Sequence, residues 1–438
     1  MQEYYHSVKL DSSLCKGCTT CVKRCPTEAI RVRGKKAQII NERCVDCGEC
    51  IRVCPEHAKK AVMDPLEVIK NYEYSIALPA PALYGQFPNI ENRNMILTGL
   101  KRIGFSDVFE VSVAADAVSA ALHMELISGR IPHPIISTAC PAVLRIIRVR
   151  FPSLVEHLFD YRAPMELAAR WAKGLAMKKT GLPEEKIGCI FISPCPAKAT
   201  GVKAPLGTDK SAVDAAVSIA DVYPRLLAAM KKITTPENLV QSSAVGVGWA
   251  VSGGEGAASM EPNYLAASGV ENTINILEAL EDDKLADVDL IELNSCGAGC
   301  VGGVLTIENP FIARARLQNL MRHTGPVLPT DGCPVDDMRW DNEIECKPVM
   351  QLDTDVNIAM EKLEKIKELV KRFNGMDCGA CGAPSCMALA EDIVQGVSTE
   401  EQCIFVVREK LQELLWITHH KNYPAREAEE KENQEEQG

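Results

Sequence analysis

Three things are missing from this 438-residue chain. Its opening Met1-Gln2-Glu3-Tyr4-Tyr5-His6 has neither the basic stretch nor the apolar core of a secretory leader. No later stretch is an uninterrupted apolar run of membrane-spanning length, and the mean hydropathy is −0.05. Positive charge is also in deficit: 48 Lys and Arg against 59 Asp and Glu leave a net charge of −11, which repels nucleic-acid phosphates. These absences point to a cytoplasmic protein with no membrane insertion and no nucleic-acid partner. The 46% hydrophobic content supports two or three domains with packed cores, and an acidic surface suits soluble electron transfer.

Cysteine is abundant, at 19 residues. In a long chain without a leader, regularly spaced cysteines read as thiolate metal ligands rather than disulfides. Cys15-x-x-Cys18-x-x-Cys21-x-x-x-Cys25-Pro26 recurs as Cys44-x-x-Cys47-x-x-Cys50-x-x-x-Cys54-Pro55, twenty-nine residues later. Three closely spaced thiolates grip three corners of a 4Fe-4S cube, and the fourth cysteine of each run serves the other cube. Cys15, Cys18, Cys21 and Cys54 are thus expected on one cube, and Cys44, Cys47, Cys50 and Cys25 on the other. A zinc ribbon, the alternative, would use paired CxxC knuckles. Residues 8–64 resemble bacterial two-cluster ferredoxins, an α+β domain assigned to 1–64. Strands are expected at 29–32 and 37–40 around Gly34, partnered by strands at 7–10 and 61–63.

From 65 to 350 the pattern is α/β, with buried strands expected at 74–78, 134–137, 187–193 and 290–293 and helices at 114–127 and 165–179. Three cysteine segments each follow one of those strands: Thr138-Ala139-Cys140-Pro141, Ser193-Pro194-Cys195-Pro196-Ala197-Lys198 and Glu292-Leu293-Asn294-Ser295-Cys296-Gly297-Ala298-Gly299-Cys300. Loops after parallel strands are where such sheets place ligands, so four thiolates are expected to converge on one iron–sulfur site.

These segments resemble the FeFe-hydrogenase patterns TSCCPxW, MPCxxKxxE and ExMACxxGCxxGGG. The resemblance implies that Cys140, Cys195, Cys296 and Cys300 bind the cubane of an H-cluster, a 4Fe-4S cube linked to a diiron unit with CO, CN and dithiolate ligands. Cys300 would bridge to that unit, and Lys198 would donate to a cyanide on it. The glycines at 297, 299, 302 and 303 would let backbone pass close to the cluster. The departures bear on catalysis. Ala139 replaces a proton-passing cysteine, Ser193 and Asn294 replace methionines around the diiron unit, Gly201 replaces a glutamate and Val143 a tryptophan. Of two relay glutamates at most Glu125 survives, which leaves Glu255 and Glu292 as candidates for another proton route. This combination resembles the sensory FeFe hydrogenases that lack a PAS domain.

Apolar residues from Val356 to Phe373 recur at helical spacing, and Cys378, Cys381, Cys386 and the distant Cys403 follow. Residues 351–420 are therefore expected to form a small, mostly helical 4Fe-4S domain, resembling that of corrinoid iron–sulfur proteins, with zinc as the alternative. Ser398 and Glu401 form a capping-box pattern that places Cys403 in the first turn of the last helix. Residues 421–438 carry too little apolar surface to fold and are expected as a disordered tail. Cys189, Cys333 and Cys346 receive no role. The resulting expectation is a slow, hydrogen-sensing FeFe hydrogenase with three accessory 4Fe-4S clusters, interconverting H2 with protons and electrons. Its redox partner would be a ferredoxin or a signalling protein. The alternative is a non-catalytic electron carrier or cluster-assembly factor without the diiron unit.

Overall fold

A computed structural model describes residues 5–324, 338–347, 349 and 351–435. Cys333 lies outside the described residues. The chain divides into two compact units, one of Met1–Leu14 with Asn41–Met350 and the other of Cys15–Ile40 with Gln351–Gly438. The division falls between the two ferredoxin-like cysteine runs, with Cys15–Cys25 in the second unit and Cys44–Cys54 in the first.

In the first unit the strands between Tyr74 and Asn294 are parallel, and those at Tyr74–Pro79, Ile187–Ser193 and Ala215–Ser218 are near-continuous apolar runs covered on both faces, whereas Tyr264–Ser268 is partly exposed. Numbering strands along the whole chain, these are β5 (Tyr74–Pro79), β6 (Asp107–Val108), β7 (Ile135–Ile136), β8 (Ile187–Ser193), β9 (Ala215–Ser218), β10 (Tyr264–Ser268) and β11 (Leu290–Asn294). One parallel sheet has the order β6-β5-β8-β9 and a second has the order β10-β11-β7. Tyr74 lies opposite Ile187 in the first sheet, so β5 and β8 run in step and end together. Helix Val111–Ser128 has the length and hydropathy of a membrane span, yet 56% of it is buried inside the protein. Its Val113, Val118 and Leu122 join Leu78 and Phe191 in the core, each burial stabilising by about 1.5–3 kcal/mol.

The same unit holds β1 (Val8–Leu10) and β4 (Lys59–Ala61), paired antiparallel with Val8 opposite Ala61. The second unit holds β2 (Ile30–Arg33) and β3 (Lys36–Ile39), a hairpin turned by Gly34 and Lys35 at φ +55° and +61°. The outer strands thus do not extend the inner hairpin, as the sequence pattern implied. Each pair forms its own two-stranded ladder.

Helices Val356–Arg372 and Cys386–Val394 enclose a small core with Ile366, Phe373, Leu389 and Val406. The β2–β3 hairpin is fastened to this core from one side. Val32 N donates to the Gly382 carbonyl at 2.8 Å, and a Cβ on Gly382 would fall 2.1 Å from the Val32 oxygen. Asp392 accepts from Arg31 Nε at 2.8 Å and Nη2 at 3.1 Å, and from Arg33 Nη2 at 2.7 Å. Ser398 does not cap the last helix. Its hydroxyl is buried without a partner among the described residues, and Cys403 precedes that helix in extended backbone rather than sitting in its first turn. The helix runs Ile404–Glu435, so the segment expected as a disordered tail from 421 is helical to 435. Its Glu, Lys, Arg, Ala and Gln content has high intrinsic helix propensity, which continues a helix already nucleated upstream.

Candidate metal centre

Cys140 and Cys195 occupy equivalent positions. Each leaves a buried strand, stands in extended backbone as an N-cap, and is followed by proline as the first helical residue of Pro141–Arg150 or Pro196–Lys203. Proline is pre-organised for that position, and the helix N-terminus favours a thiolate. Cys296 and Cys300 lie in the turn after β11, where Gly299 at φ +89° lets the chain reverse. A Cβ there would sit 2.5 Å from Ser252 N. The second and third segments are latched together: Leu305 N donates to the Pro194 carbonyl at 3.0 Å, and a Cβ on Gly303 would fall 2.3 Å from that oxygen. Gly297, by contrast, faces open space and needs no such close approach. The Ser295 hydroxyl lies 3.6 Å from Cys140 Sγ and 4.0 Å from Cys296 Sγ.

The four thiols feel one another's charge. Burial pushes Cys195 up to about 11 against the opposing pull of Lys198, and burial likewise raises Cys296 and Cys300. Burial alone would lower the Lys198 ammonium, but Cys300, Cys195, Cys140 and Cys296 together raise it above its ordinary range. Cys195, Cys296 and Cys300 thus resist ionisation on their own, which a cationic iron cluster bound to the half-buried set would overcome. Four cysteine thiols are soft donors, the type that iron–sulfur clusters take. The donor set fits a multi-iron cluster.

A cavity of about 60 Å³ opens beside these thiols, lined by Ala139, Lys198, Glu255, Glu292, Asn294 and Cys300 among others. Lys198 Nζ donates to the Ala139 carbonyl at 3.2 Å. Ser137 Oγ donates to Glu255 Oε2 at 2.5 Å and accepts from Ala139 N at 3.4 Å. Glu292 accepts 2.9 Å bonds from Gly253 N, Gly256 N and Asn294 Nδ2. Burial, then the neighbouring Glu292, push the Glu255 carboxyl up to about 8, and burial raises Glu292 as well.

Five of the six expected pocket residues, Ala139, Lys198, Glu255, Glu292 and Asn294, therefore share this cavity. Ser193 does not line it. Its hydroxyl donates to the Cys195 carbonyl at 2.8 Å and accepts from Cys195 N at 3.3 Å, bracing its own loop. Glu125 lies elsewhere, bonded by Ser128, Arg130, Tyr161 and Arg339. Burial works to raise its carboxyl, yet Arg130 and Ser128 hold it below the usual carboxylate range, so it is a poor proton carrier near neutral pH. Ser137 escaped the sequence reading, although it stands two residues before Ala139 and is the group that ties Glu255 to that loop.

The remaining cysteines divide between the units. Within the first, the run carrying Cys44, Cys47, Cys50 and Cys54 abuts the third cysteine segment: Arg52 Nη2 donates to the Gly302 carbonyl at 2.6 Å, and a Cβ on Gly48 would meet Val304 at 2.6 Å. Within the second, Cys15, Cys18, Cys21 and Cys25 share a unit with Cys378, Cys381, Cys386 and Cys403. Arg33 Nη1 donates to the Cys381 carbonyl at 2.9 Å. The sequence repeat is visible in hydrogen bonding: Ala29 N donates to Cys25 Sγ at 3.2 Å, and Ala58 N to Cys54 Sγ at 3.3 Å. All 18 described cysteines are free thiols. Cys189 is buried with its thiol raised chiefly by burial, and Cys346 is exposed.

Residues 73–261 match the family model described as iron only hydrogenase large subunit, C-terminal domain. That stretch is hydrogenase-like. Flanking this domain, residues 7–55 match a 4Fe-4S dicluster model and residues 374–405 an Fe-S cluster model. The chain is 23% identical over 207 residues to the NADP-reducing hydrogenase subunit HndD of Solidesulfovibrio fructosivorans, a match covering 44% of this chain and 31% of that one. It is 25% identical over 226 residues to iron hydrogenase 1 of Clostridium pasteurianum, covering 45% and 39% respectively. A third match, 30% identical over 100 residues, is to the cytosolic Fe-S cluster assembly factor nar1 of Aspergillus fumigatus, covering 21% and 17%. The chain thus spans less than two fifths of the length of the curated relatives it matches. Superposed on a variant of the FeFe-hydrogenase HydA1 from Chlamydomonas reinhardtii, it gives a TM-score of 0.47 at 14% identity, covering 60% of this chain and 88% of that one.

Proposed function

We propose that this protein is a low-turnover, hydrogen-responsive FeFe hydrogenase of the cytoplasm, in which the cavity beside Cys300 receives the diiron unit of an H-cluster. The observation that carries this reading is Lys198: a half-buried ammonium raised above its ordinary range by all four thiols and lining the same cavity as Ala139 and the two buried glutamates. A cation at this position suits an anionic ligand beside the cube more than a cube alone. Cys140, Cys195, Cys296 and Cys300 would hold the cubane, with Lys198 orienting an anionic diatomic ligand. When bound, that cofactor supplies the redox chemistry that interconverts H2 with protons and electrons.

The residues set the pace. Ala139 presents a methyl group where proton delivery needs an exchangeable hydrogen, so protons must reach the cavity by another side chain. Glu255 is the group placed for this. It is predominantly protonated at neutral pH, and Ser137 Oγ links it to the Ala139 loop. Glu292, pinned by two backbone amides and Asn294, raises the proton affinity of Glu255 by its proximity. Electrons would leave through the cysteine run seated against Gly302 and Val304, towards a ferredoxin or a signalling protein.

The match to nar1 favours a second reading, a non-catalytic carrier or assembly factor with cubes alone. Infrared spectra after anaerobic maturation with the diiron unit separate the two. Bands of metal-bound CO and CN are expected, and their absence after competent maturation overturns the hydrogenase reading.

A further inference from the structure

A larger cavity lies apart from the hydrogenase-like pocket. It encloses about 310 Å³ and is lined by Arg145, Arg148, Lys347 and His6, with Glu42 as the acidic residue among its walls. That volume is at the lower end of small-molecule sites. In a chain of net charge −11, three fixed cations around one hollow are not a sample of the average surface. Arg145 and Arg148 stand three residues apart on helix Pro141–Arg150 and so project from the same side of it.

Arg145 is the telling residue. It is half-buried and forms no ion pair among the described residues; its Nη2 donates to the Ala204 carbonyl at 2.7 Å. Burial lowers its guanidinium, Asp46 opposes this, and Arg148 adds to it. A bound anion would relieve both the desolvation and the like-charge contact. Arg145 also lines a hollow of about 50 Å³ that reaches Ala139 and Lys198, and its helix begins directly after Cys140. On the other wall lies Cys44, beside the His6 Nδ1 and Asp46 Oδ2 pair at 2.9 Å.

We propose that this cavity binds a phosphate-bearing small molecule of up to nucleotide size through Arg145, Arg148 and Lys347, and that occupancy lowers the potential of the iron–sulfur cluster held by Cys44. The first half rests on the cavity alone; the second rests also on Cys44 being a cluster ligand. Planar guanidinium forks suit bidentate phosphate oxygens, with Lys347 as a point charge at the rim. Reducing a 4Fe-4S cluster adds one negative charge, which repels a neighbouring polyanion, so the ligand must bind the oxidised protein more tightly. By reciprocity, a tenfold weaker affinity for the reduced protein corresponds to a potential about 59 mV lower.

The experiment uses the full chain with its clusters reconstituted anaerobically. Calorimetry with ADP, pyrophosphate and inorganic phosphate reads binding without calling on the diiron unit, and EPR-monitored redox titration with and without ADP reads the coupling. ADP and pyrophosphate are expected to bind in the micromolar to low-millimolar range. Arg145→Gln and Arg148→Gln should each weaken them at least tenfold, with Arg145→Lys retaining an intermediate affinity. Phosphate matching ADP would identify the anion as the recognised part; ADP binding far more tightly would identify the nucleoside phosphate. Should Arg145→Gln fold poorly, Arg148→Gln and Lys347→Gln decide the matter. No binding of any probe to the wild-type chain, or binding that all three charge-neutral variants leave unchanged, overturns the site. Binding that leaves every cluster potential in place overturns the coupling.

Discussion

Replacing Asp392 by asparagine should undock the β2–β3 hairpin from the C-terminal helices. Asp392 receives three charge-assisted bonds, and its side chain and that of Arg31 are only 9% and 6% exposed. Removing one member of a buried pair leaves the other charge uncompensated, at about 3–5 kcal/mol. Asparagine keeps one acceptor but turns an N–H₂ towards two guanidinium groups, so the expected loss is about 3 kcal/mol, roughly a hundredfold in the docking equilibrium. Hydrogen exchange should read this as lost protection at Val32 N, whose acceptor is Gly382, with the rest of β2–β3 following. The paired change Arg31→Met with Asp392→Leu should recover most of the loss, because two apolar side chains no longer bury a charge. A loss under about 1 kcal/mol in Asp392→Asn, or a double variant as unstable as the summed singles, would refute the clamp.

The hydrogenase-like pocket yields further tests. Ala139→Cys restores an exchangeable proton at the cavity and should raise hydrogen turnover by a factor of about 10²–10⁴ while leaving the infrared bands recognisable; unchanged turnover counts against a missing thiol as the limit. Glu255→Gln should act on the stability of the cluster-free chain in a pH-dependent way. The folded carboxyl titrates near 8 against an ordinary 4.5, so its stabilising contribution is complete below pH 4.5 and is lost as pH rises through 8. The glutamine variant should therefore gain on the wild type by up to about 1.4 kcal/mol per pH unit across that window and no further above it; a flat difference in denaturation midpoint contradicts the buried-acid assignment. Cys403→Ala should lower bound iron by about four atoms per chain, and release of zinc instead would reassign that site.

The three cysteine segments were readable because each couples two signals, a buried apolar run and a Cys-Pro or Gly-rich turn, that demand a strand followed by a sharp change of direction. The fate of individual polar side chains was not readable. Ser193 sits where a pocket residue was expected, but its short hydroxyl finds backbone partners two residues on and turns away. Glu125 looks like a surviving relay group until Arg339, more than two hundred residues later, is seen beside it. Likewise nothing local in Arg31 or Arg33 announces Asp392, since a buried ion pair between distant segments leaves no periodicity in either. The helix beyond 421 was missed for the opposite reason: low apolar content excludes a packed core, and that is a different matter from excluding a helix.

The grouping of Cys15–Ile40 with Gln351–Gly438 has a consequence for biogenesis. The hairpin segment leaves the ribosome early, and its packing partner follows about three hundred residues later, roughly 15–60 s at ordinary rates of synthesis. During that interval Arg31 and Arg33 have no Asp392 to meet, and the early cysteines wait in an unfinished fold. Vectorial synthesis therefore cannot complete this unit from its N-terminal end. Synthesis must pass Asp392 before the hairpin has a home, which makes the helices around that residue the step that closes the fold around Cys15, Cys18, Cys21 and Cys25.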